Sequence, residues 1–202
     1  MNTKLERIVH GVILAPVMPL AGLMGGWWSA DILLPERWIP FAMLAGLLAG
    51  ILVDVILLKR LVERRLSWLS WAAVYLFYSI GLFGFFMGVP VFNAALAIPA
   101  GFVVGSRLRV EQADPSQVRK AEMRAAGFTT GVLALTCAAS ACIALADPYT
   151  AGNLRGMLGL GFEVTRGMIV ALIIVGGAAL LAACWGLTVG LVRVTFKWLE
   201  NR

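Results

Sequence analysis

Leu44-Ala45-Gly46-Leu47-Leu48-Ala49-Gly50-Ile51-Leu52-Val53-Asp54 is a run of eleven residues whose one charge comes at its last position and whose two glycines stand four apart. Residues at i and i+4 lie one above the other on a helix. With no side chains there, they open a flat strip that a second helix backbone can approach closely in lipid. The flanks stay apolar, so the run sits inside a window of about 38–58. A helix of roughly 20 apolar residues crosses a bilayer.

The same spacing recurs along the chain. Gly22/Gly26, Gly84/Gly88, Gly101/Gly105, Gly127/Gly131 and Gly186/Gly190 each fall in an apolar segment, and Gly152/Gly156 falls in a connecting stretch. Six windows can be drawn, at about 8–28, 38–58, 69–87, 90–108, 125–146 and 166–192. The prediction is an all-α integral membrane protein of six transmembrane helices, in three antiparallel hairpins packed through the glycine pairs. Residues 1–202 form one polytopic membrane domain, and too little lies outside the windows for a soluble catalytic domain. The windows at 69–87 and 90–108 nearly touch, so a tight turn is expected through Gly88-Val89-Pro90. The second helix of each hairpin places small residues ahead of basic ones, which suggests a parallel threefold repeat.

Composition agrees: 60% of residues are hydrophobic, 14% are charged, and the mean hydropathy is +0.88. Lys4 and Arg7 ahead of the first window resemble the start of a signal peptide. Trp28-Ser29-Ala30 would put a tryptophan at the −3 position of a cleavage site, so a retained helix is expected. Orientation follows from the basic residues. With both termini in the cytoplasm, the inner segments hold Lys4, Arg7, Lys59, Arg60, Arg64, Arg65, Arg107, Arg109, Arg119, Lys120, Arg124, Arg193, Lys197 and Arg202. Only Arg37, Arg155 and Arg166 remain outside, a split of 14 against 3 among 17. The net charge of +6 is explained by this asymmetry, and nucleic acid is not an expected partner. The expected partners are the lipid bilayer, with anionic headgroups at the cytoplasmic Arg and Lys, and a second copy or a partner membrane subunit. A bacterial-type plasma (inner) membrane is the expected location.

Candidate chemistry is sparse. Asp54 is the one acid inside a window, about 7 Å from the inner boundary marked by Lys59 at ~1.5 Å per residue. His10 lies at similar depth on the neighbouring helix, so His10 and Asp54 form a candidate polar or proton-relaying pair. Pro16 and Pro19 interrupt the first helix and Pro99 the fourth, freeing the carbonyls of Val12, Ala15 and Ala95. Unwound segments of this kind bind solutes in many transporters. Thr129, Thr136 and Ser140 form one stripe of the fifth helix, Tyr75 and Ser79 one stripe of the third, and Asn93 sits near the outer end of the fourth. These three sets and the prolines are the candidate solute-lining residues. The bland reading of each is structural: a snorkelling acid, packing kinks, and hydroxyls bonded to their own backbone.

Absences narrow the classes. Cys137, Cys142 and Cys184 follow no metal-ligand spacing and read as small packing residues. A single histidine excludes a bis-histidine haem within one chain, and no HExxH, Gly-x-Ser-x-Gly or P-loop occurs. No catalytic residue, metal or cofactor is read from the chain. The leading expectation is a small membrane protein that binds or translocates a small solute, as carrier, channel or membrane specificity component of a transporter. Size and helix count are similar to those of the S components of energy-coupling factor transporters, a likeness of size and not of motif. An accessory or assembly subunit of a membrane complex ranks second. An intramembrane enzyme acting on a lipid or prenyl phosphate, with His10 and Asp54 as acid and base, ranks third.

Overall fold

The computed structural model describes residues 4–63, 66–86 and 88–200. Arg64, Arg65 and Arg202 of the predicted cytoplasmic set lie outside them. Every regular element among the described residues is helical: α1 Lys4–Leu14, α2 Val17–Leu33, a 3-10 turn Glu36–Trp38, α3 Ile39–Glu63, α4 Trp68–Phe85, α5 Val91–Ala94, α6 Ala97–Val110, α7 Pro115–Ala146, α8 Thr150–Leu158 and α9 Arg166–Glu200. Six stretches are long and apolar enough to cross a membrane: Arg7–Leu33, Glu36–Leu57, Trp68–Phe85, Val91–Val110, Pro115–Ala146 and Arg166–Leu199. They overlap the six sequence windows. By contacts the residues group into two compact units, Met1–Phe77 and Tyr78–Arg202, where the sequence reading treats them as one domain.

In the first unit α2 and α3 pack most extensively and run antiparallel. A Cβ at Gly22 would meet the Gly46 carbonyl, one at Gly26 the Ala42 carbonyl, and one at Gly50 the Met18 carbonyl. Backbone therefore lies against backbone over about two turns, which any side chain there would prevent. The first span is broken once, at Ala15-Pro16, because Pro16 has no N–H to donate and its ring crowds the preceding turn. Pro19 was expected to break it again and does not. It stands in the first turn of α2, where a missing N–H costs nothing.

The second unit has a three-helix core of α6, α7 and α9. α7 buries Glu122, Ala126, Thr129 and Leu133, and α9 buries Cys184, Thr188, Val192 and Thr195, each at helical spacing. Glu122 meets Arg193, Thr129 meets Thr188, and Leu133 clusters with Cys184. This is a constant antiparallel register. α6 runs parallel to α9: a Cβ on Gly101 would lie 2.6 Å from Leu191 Cβ, and one on Gly105 would lie 2.7 Å from the Val192 carbonyl oxygen.

This arrangement gives α6 a main neighbour beyond the expected second hairpin. The spans α4 and α5–α6 are joined by a tight turn, where Gly88 takes φ 83°, a left-handed value that suits glycine. Asn93 of α5 is hydrogen-bonded to Ser79 of α4, and α6 takes α9 as its main neighbour. Not all the glycine pairs meet a helix of the chain. Gly84, Gly127, Gly131, Gly186 and Gly190 have open space where a Cβ would stand. The reason is angular. Gly186 and Gly190 follow the buried Cys184 and Thr188 by two residues, and Gly127 and Gly131 stand two residues either side of Thr129. Two residues turn a helix by about 200°. The three segments of the suggested repeat thus meet different surroundings: α2, α9 and open space.

The basic connection between α6 and α7 is tightly built. α6 closes with Gln112 at φ 50°, its N–H donating to the Arg109 carbonyl (3.1 Å) and that of Ala113 to the Leu108 carbonyl (3.0 Å). Asp114 then caps α7, its Oδ1 accepting from the backbone N–H groups of Ser116 (2.8 Å) and Gln117 (2.9 Å), while Gln117 Oε1 accepts from the Asp114 N–H (3.2 Å). The Gln117 backbone bond, then Ser116, and the nearby Lys120 hold the Asp114 carboxyl below its usual range. A lowered folded-state value contributes stability above the unfolded value, and that stability is lost as pH falls through the folded one. Protection of the Ser116 and Gln117 amides, measured relative to their intrinsic exchange rates, is therefore expected to fall on acidification below about pH 4. Asp114→Asn, which caps without titrating, should flatten that dependence. A flat wild-type profile would show that the cap does not hold this end of α7.

Candidate functional site

The first unit positions Asp54 by the α2–α3 register. Gly46 faces Gly22 and Gly50 faces Met18, so one turn further on Asp54 comes level with the Ala15-Pro16 break. Asp54 is half-buried, and its Oδ1 is buried with no hydrogen-bond partner. His10 is buried one turn beyond, with its ring on Trp71 of α4 at 5.0 Å between centroids. No hydrogen bond or ion pair joins His10 to Asp54 among the described residues. The expected pair is thus not formed. The common depth read from each residue's nearest basic neighbour ignored the offset of one turn that the glycine contacts impose. Tyr75 is half-buried on α4, and Pro16 lies exposed at the break.

In the second unit the polar groups form successive rungs. Asn93, only 1% exposed, donates through Nδ2 to the Ser79 carbonyl and to Ser79 Oγ, both at 2.8 Å. Its Oδ1 is buried with no partner. Asn93 lies at a second break, where α5 ends at Ala94 and α6 begins at Ala97. The chain turns here through short-range bonds: the Leu96 N–H donates to the Asn93 carbonyl (3.1 Å), and the Ile98 N–H to the Ala95 carbonyl (3.0 Å). The expectation that Pro99 frees the Ala95 carbonyl is thereby overturned. Pro99 is the third residue of α6, and the tighter turn ahead of it satisfies that oxygen.

Deeper in the core, Thr129 Oγ1 and Thr188 Oγ1 share a hydrogen bond of 2.9 Å between α7 and α9. Thr188 Oγ1 also approaches the Cys184 carbonyl of its own helix (2.9 Å), and Thr129 Oγ1 the Ala126 carbonyl (3.2 Å). Thr136 donates to the Leu133 carbonyl (2.8 Å), and Ser140 is half-buried further along the same helix. Of the predicted hydroxyl stripe, Thr129 alone reaches across to another helix. Cys137 packs against the cluster of Ala94, Ala97, Leu133 and Cys184 as a free thiol.

The last rung is an ion pair. Arg193 Nε lies 3.0 Å and 3.1 Å from the two oxygens of Glu122, and Nη2 lies 3.0 Å from Oε2. The Glu122 side chain is 3% exposed and that of Arg193 57%. Sequence reading passed over Glu122 because it falls in a charged stretch ahead of the 125–146 window. Its spacing with Ala126, Thr129 and Leu133 was the available signal. Thr188, facing Thr129, was passed over because a lone hydroxyl in an apolar run has no marker.

Two places therefore have the same composition. Each unit has one broken span, and at each break a side-chain oxygen is buried without a partner: Asp54 Oδ1 in the first, Asn93 Oδ1 in the second. Oxygens of this kind accept a hydrogen bond, and Asp54 can also take a proton or a cation. Among the described residues no group of three or more His, Cys, Asp or Glu is placed to hold a metal ion. No protein-family model, curated protein or solved structure matches the chain.

Proposed function

We propose that the chain is a multi-pass membrane protein that binds or translocates a small solute, with both termini in the cytoplasm of a bacterial-type inner membrane. The observation that carries this reading is that two unpartnered buried oxygens, Asp54 Oδ1 and Asn93 Oδ1, stand level with helix breaks, a third, Thr130 Oγ1, lying on the unbroken α7. A buried acceptor left empty costs about 1–3 kcal/mol, so a solute donor that fills it gains that much. Broken spans are where membrane transporters expose such groups. Asn93, held by Ser79 with its Oδ1 free, is the expected acceptor for an N–H or O–H of the solute. Asp54, at the other break, is the expected coupling acid.

Native mass spectrometry of protein extracted in mild detergent tests this. The wild type is expected to retain a small molecule, and Asn93→Leu to lose it with helicity and yield unchanged. Asp54→Asn should abolish uptake into proteoliposomes of the molecule so identified, again at normal yield. Collapse of folded yield in both variants would make the two residues structural and end this reading.

An accessory or assembly role is the second reading, favoured by the open faces at Gly127/Gly131 on α7 and Gly186/Gly190 on α9. In that case the same spectra show a bound protein chain and no small molecule.

A further inference from the structure

Between Ala146, the last residue of α7, and Arg166, the first of α9, the chain carries one further helix, α8. Both of its ends are built. Asp147 turns the chain out of α7: its Oδ1 accepts from the Tyr149 N–H (2.9 Å) and its Oδ2 from the Thr150 hydroxyl (3.2 Å). α8 stops at Gly159, which takes φ 61°, and the Leu160 N–H closes the turn on the Arg155 carbonyl (3.0 Å).

Nothing comparable holds α8 along its length. It packs extensively on no other helix among the described residues. It is nine residues long and includes Gly152 and Gly156. Helices shorter than about 12–15 residues are marginal in water, and each internal glycine costs about 1 kcal/mol more than alanine. α8 therefore needs a surface to fold against. Thr150, Ala151 and Leu154 fall on one face and are half-buried, while Gly152, Asn153, Arg155 and Gly156 are exposed. Aromatic side chains flank the helix, Tyr149 at 75% exposed and Phe162 at 52%.

The neighbouring spans fix the level at which this happens. Residues 125–146 of α7 carry no charge and run for about 33 Å at ~1.5 Å per residue. A bilayer core is roughly 30 Å thick, so a span that enters at Ala125 reaches the far boundary at Ala146. Arg166 marks the same boundary on α9, ahead of the uncharged run 167–192. α8 is tethered between those two points by residues 147–149 and 159–165. Charge selects no headgroup there, since Asp147 and Glu163 stand against Arg155 and Arg166 within 147–166.

Resting on the membrane reading above, we propose that α8 is an interfacial helix. It lies in the headgroup–acyl boundary where α7 ends and α9 begins, with the face of Ala151 and Leu154 and the rings of Tyr149 and Phe162 against lipid. Amphipathic helices bury their apolar face about 5–10 Å into that boundary. Helix is favoured there because unbonded backbone groups are costly beside hydrocarbon. Tyrosine suits the level, with an apolar ring and a polar hydroxyl.

Spin labels in phosphatidylcholine vesicles, probed with oxygen and a water-soluble nickel chelate, test this. Labels are placed singly at Asn153, Leu154 and Ile174 after Cys137, Cys142 and Cys184 are replaced by alanine. The chelate is expected to dominate at Asn153→Cys and oxygen at Leu154→Cys, the latter at a depth of about 5–10 Å. Ile174, exposed on α9 about 12 Å below Arg166 at ~1.5 Å per residue, reports the bilayer itself. Chelate access at Ile174 would end the membrane reading. Chelate access at Leu154 with Ile174 shielded would overturn the interfacial helix alone. Shielding of both α8 labels from both reagents would also overturn it, because protein would then cover the helix. In the chain that keeps its cysteines, Tyr149→Ser/Phe162→Ser should lower hydrogen-exchange protection across 150–158 and leave that of α7 unchanged. Unchanged protection across 150–158 would show that the chain alone holds α8, against the proposal.

Discussion

Alanine in place of Gly46 is expected to drive α2 and α3 apart. Its methyl group would land on the Gly22 carbonyl, with the Gly22 carbonyl carbon at 2.9 Å and Gly26 Cα at 3.3 Å. All three are backbone atoms of another helix, so no rotamer change relieves the contact and the two helices must separate. Separation also removes the contacts at Gly26 and Gly50. The expected loss is about 3 kcal/mol, the upper part of the range for overpacking a packed interior. Gly186→Ala is the matched control, since no atom of another described helix lies within 4 Å of the added Cβ. There alanine is the better helix former by about 1 kcal/mol. Thermal midpoints in detergent should therefore fall for Gly46→Ala and hold or rise for Gly186→Ala. A wild-type midpoint for Gly46→Ala would show that α2 and α3 do not meet through these glycines.

The second large effect is an asymmetry. Arg193→Leu is expected to destabilise the second unit far more than Glu122→Leu, although each removes one member of the same pair. The Glu122 side chain is 3% exposed, while that of Arg193 is 57% exposed. Losing Arg193 strands a buried carboxylate, the costly way to break a buried pair. Losing Glu122 releases a guanidinium that already reaches water, and leucine can fill the vacated volume. The thermal midpoint should fall by roughly 10 °C in the first variant and by no more than roughly 2 °C in the second. Equal falls would mean that the pair is worth the same from either side and that Glu122 is better solvated than its enclosure implies. The Arg193→Leu/Glu122→Leu double variant should recover most of the first loss.

The helical character and the six long apolar stretches were legible because they rest on local quantities. Apolar length and composition decide whether a segment can cross a bilayer, and no tertiary contact is needed to read them. The turn at Gly88-Val89-Pro90 was legible for the same reason, whereas the start of α7 at Pro115 lies ten residues ahead of the expected window. The prolines show the limit of that reading. Pro16, Pro19 and Pro99 look alike in sequence, yet only Pro16 coincides with a break. Pro19 and Pro99 fall in first turns that begin just before them, and where those turns begin depends on neighbouring helices.

The candidate site was legible in its members but not in its pairings. Asn93, Ser79, Thr129 and Asp54 stand out because polar groups are rare in apolar windows. Their partners belong to other helices, up to 59 residues away for Thr129 and Thr188 and 71 for Glu122 and Arg193. The His10–Asp54 expectation failed on the same ground, since equal distance from a basic boundary does not fix register between helices.

Composition and spacing by themselves determined that this chain is a set of apolar helices with a basic bias toward one group of connections, since hydropathy and charge add up along the chain regardless of packing. Only the tertiary structure decided which helices touch. The GxxxG spacing is the same at Gly46/Gly50, Gly101/Gly105 and Gly186/Gly190, yet the first meets α2, the second meets α9, and the third meets open space. A glycine pair permits close approach but supplies no attraction of its own. The partner is chosen by what stands beside it on the helix, as Cys184, Thr188 and Val192 do in turning α9 toward α6 and α7.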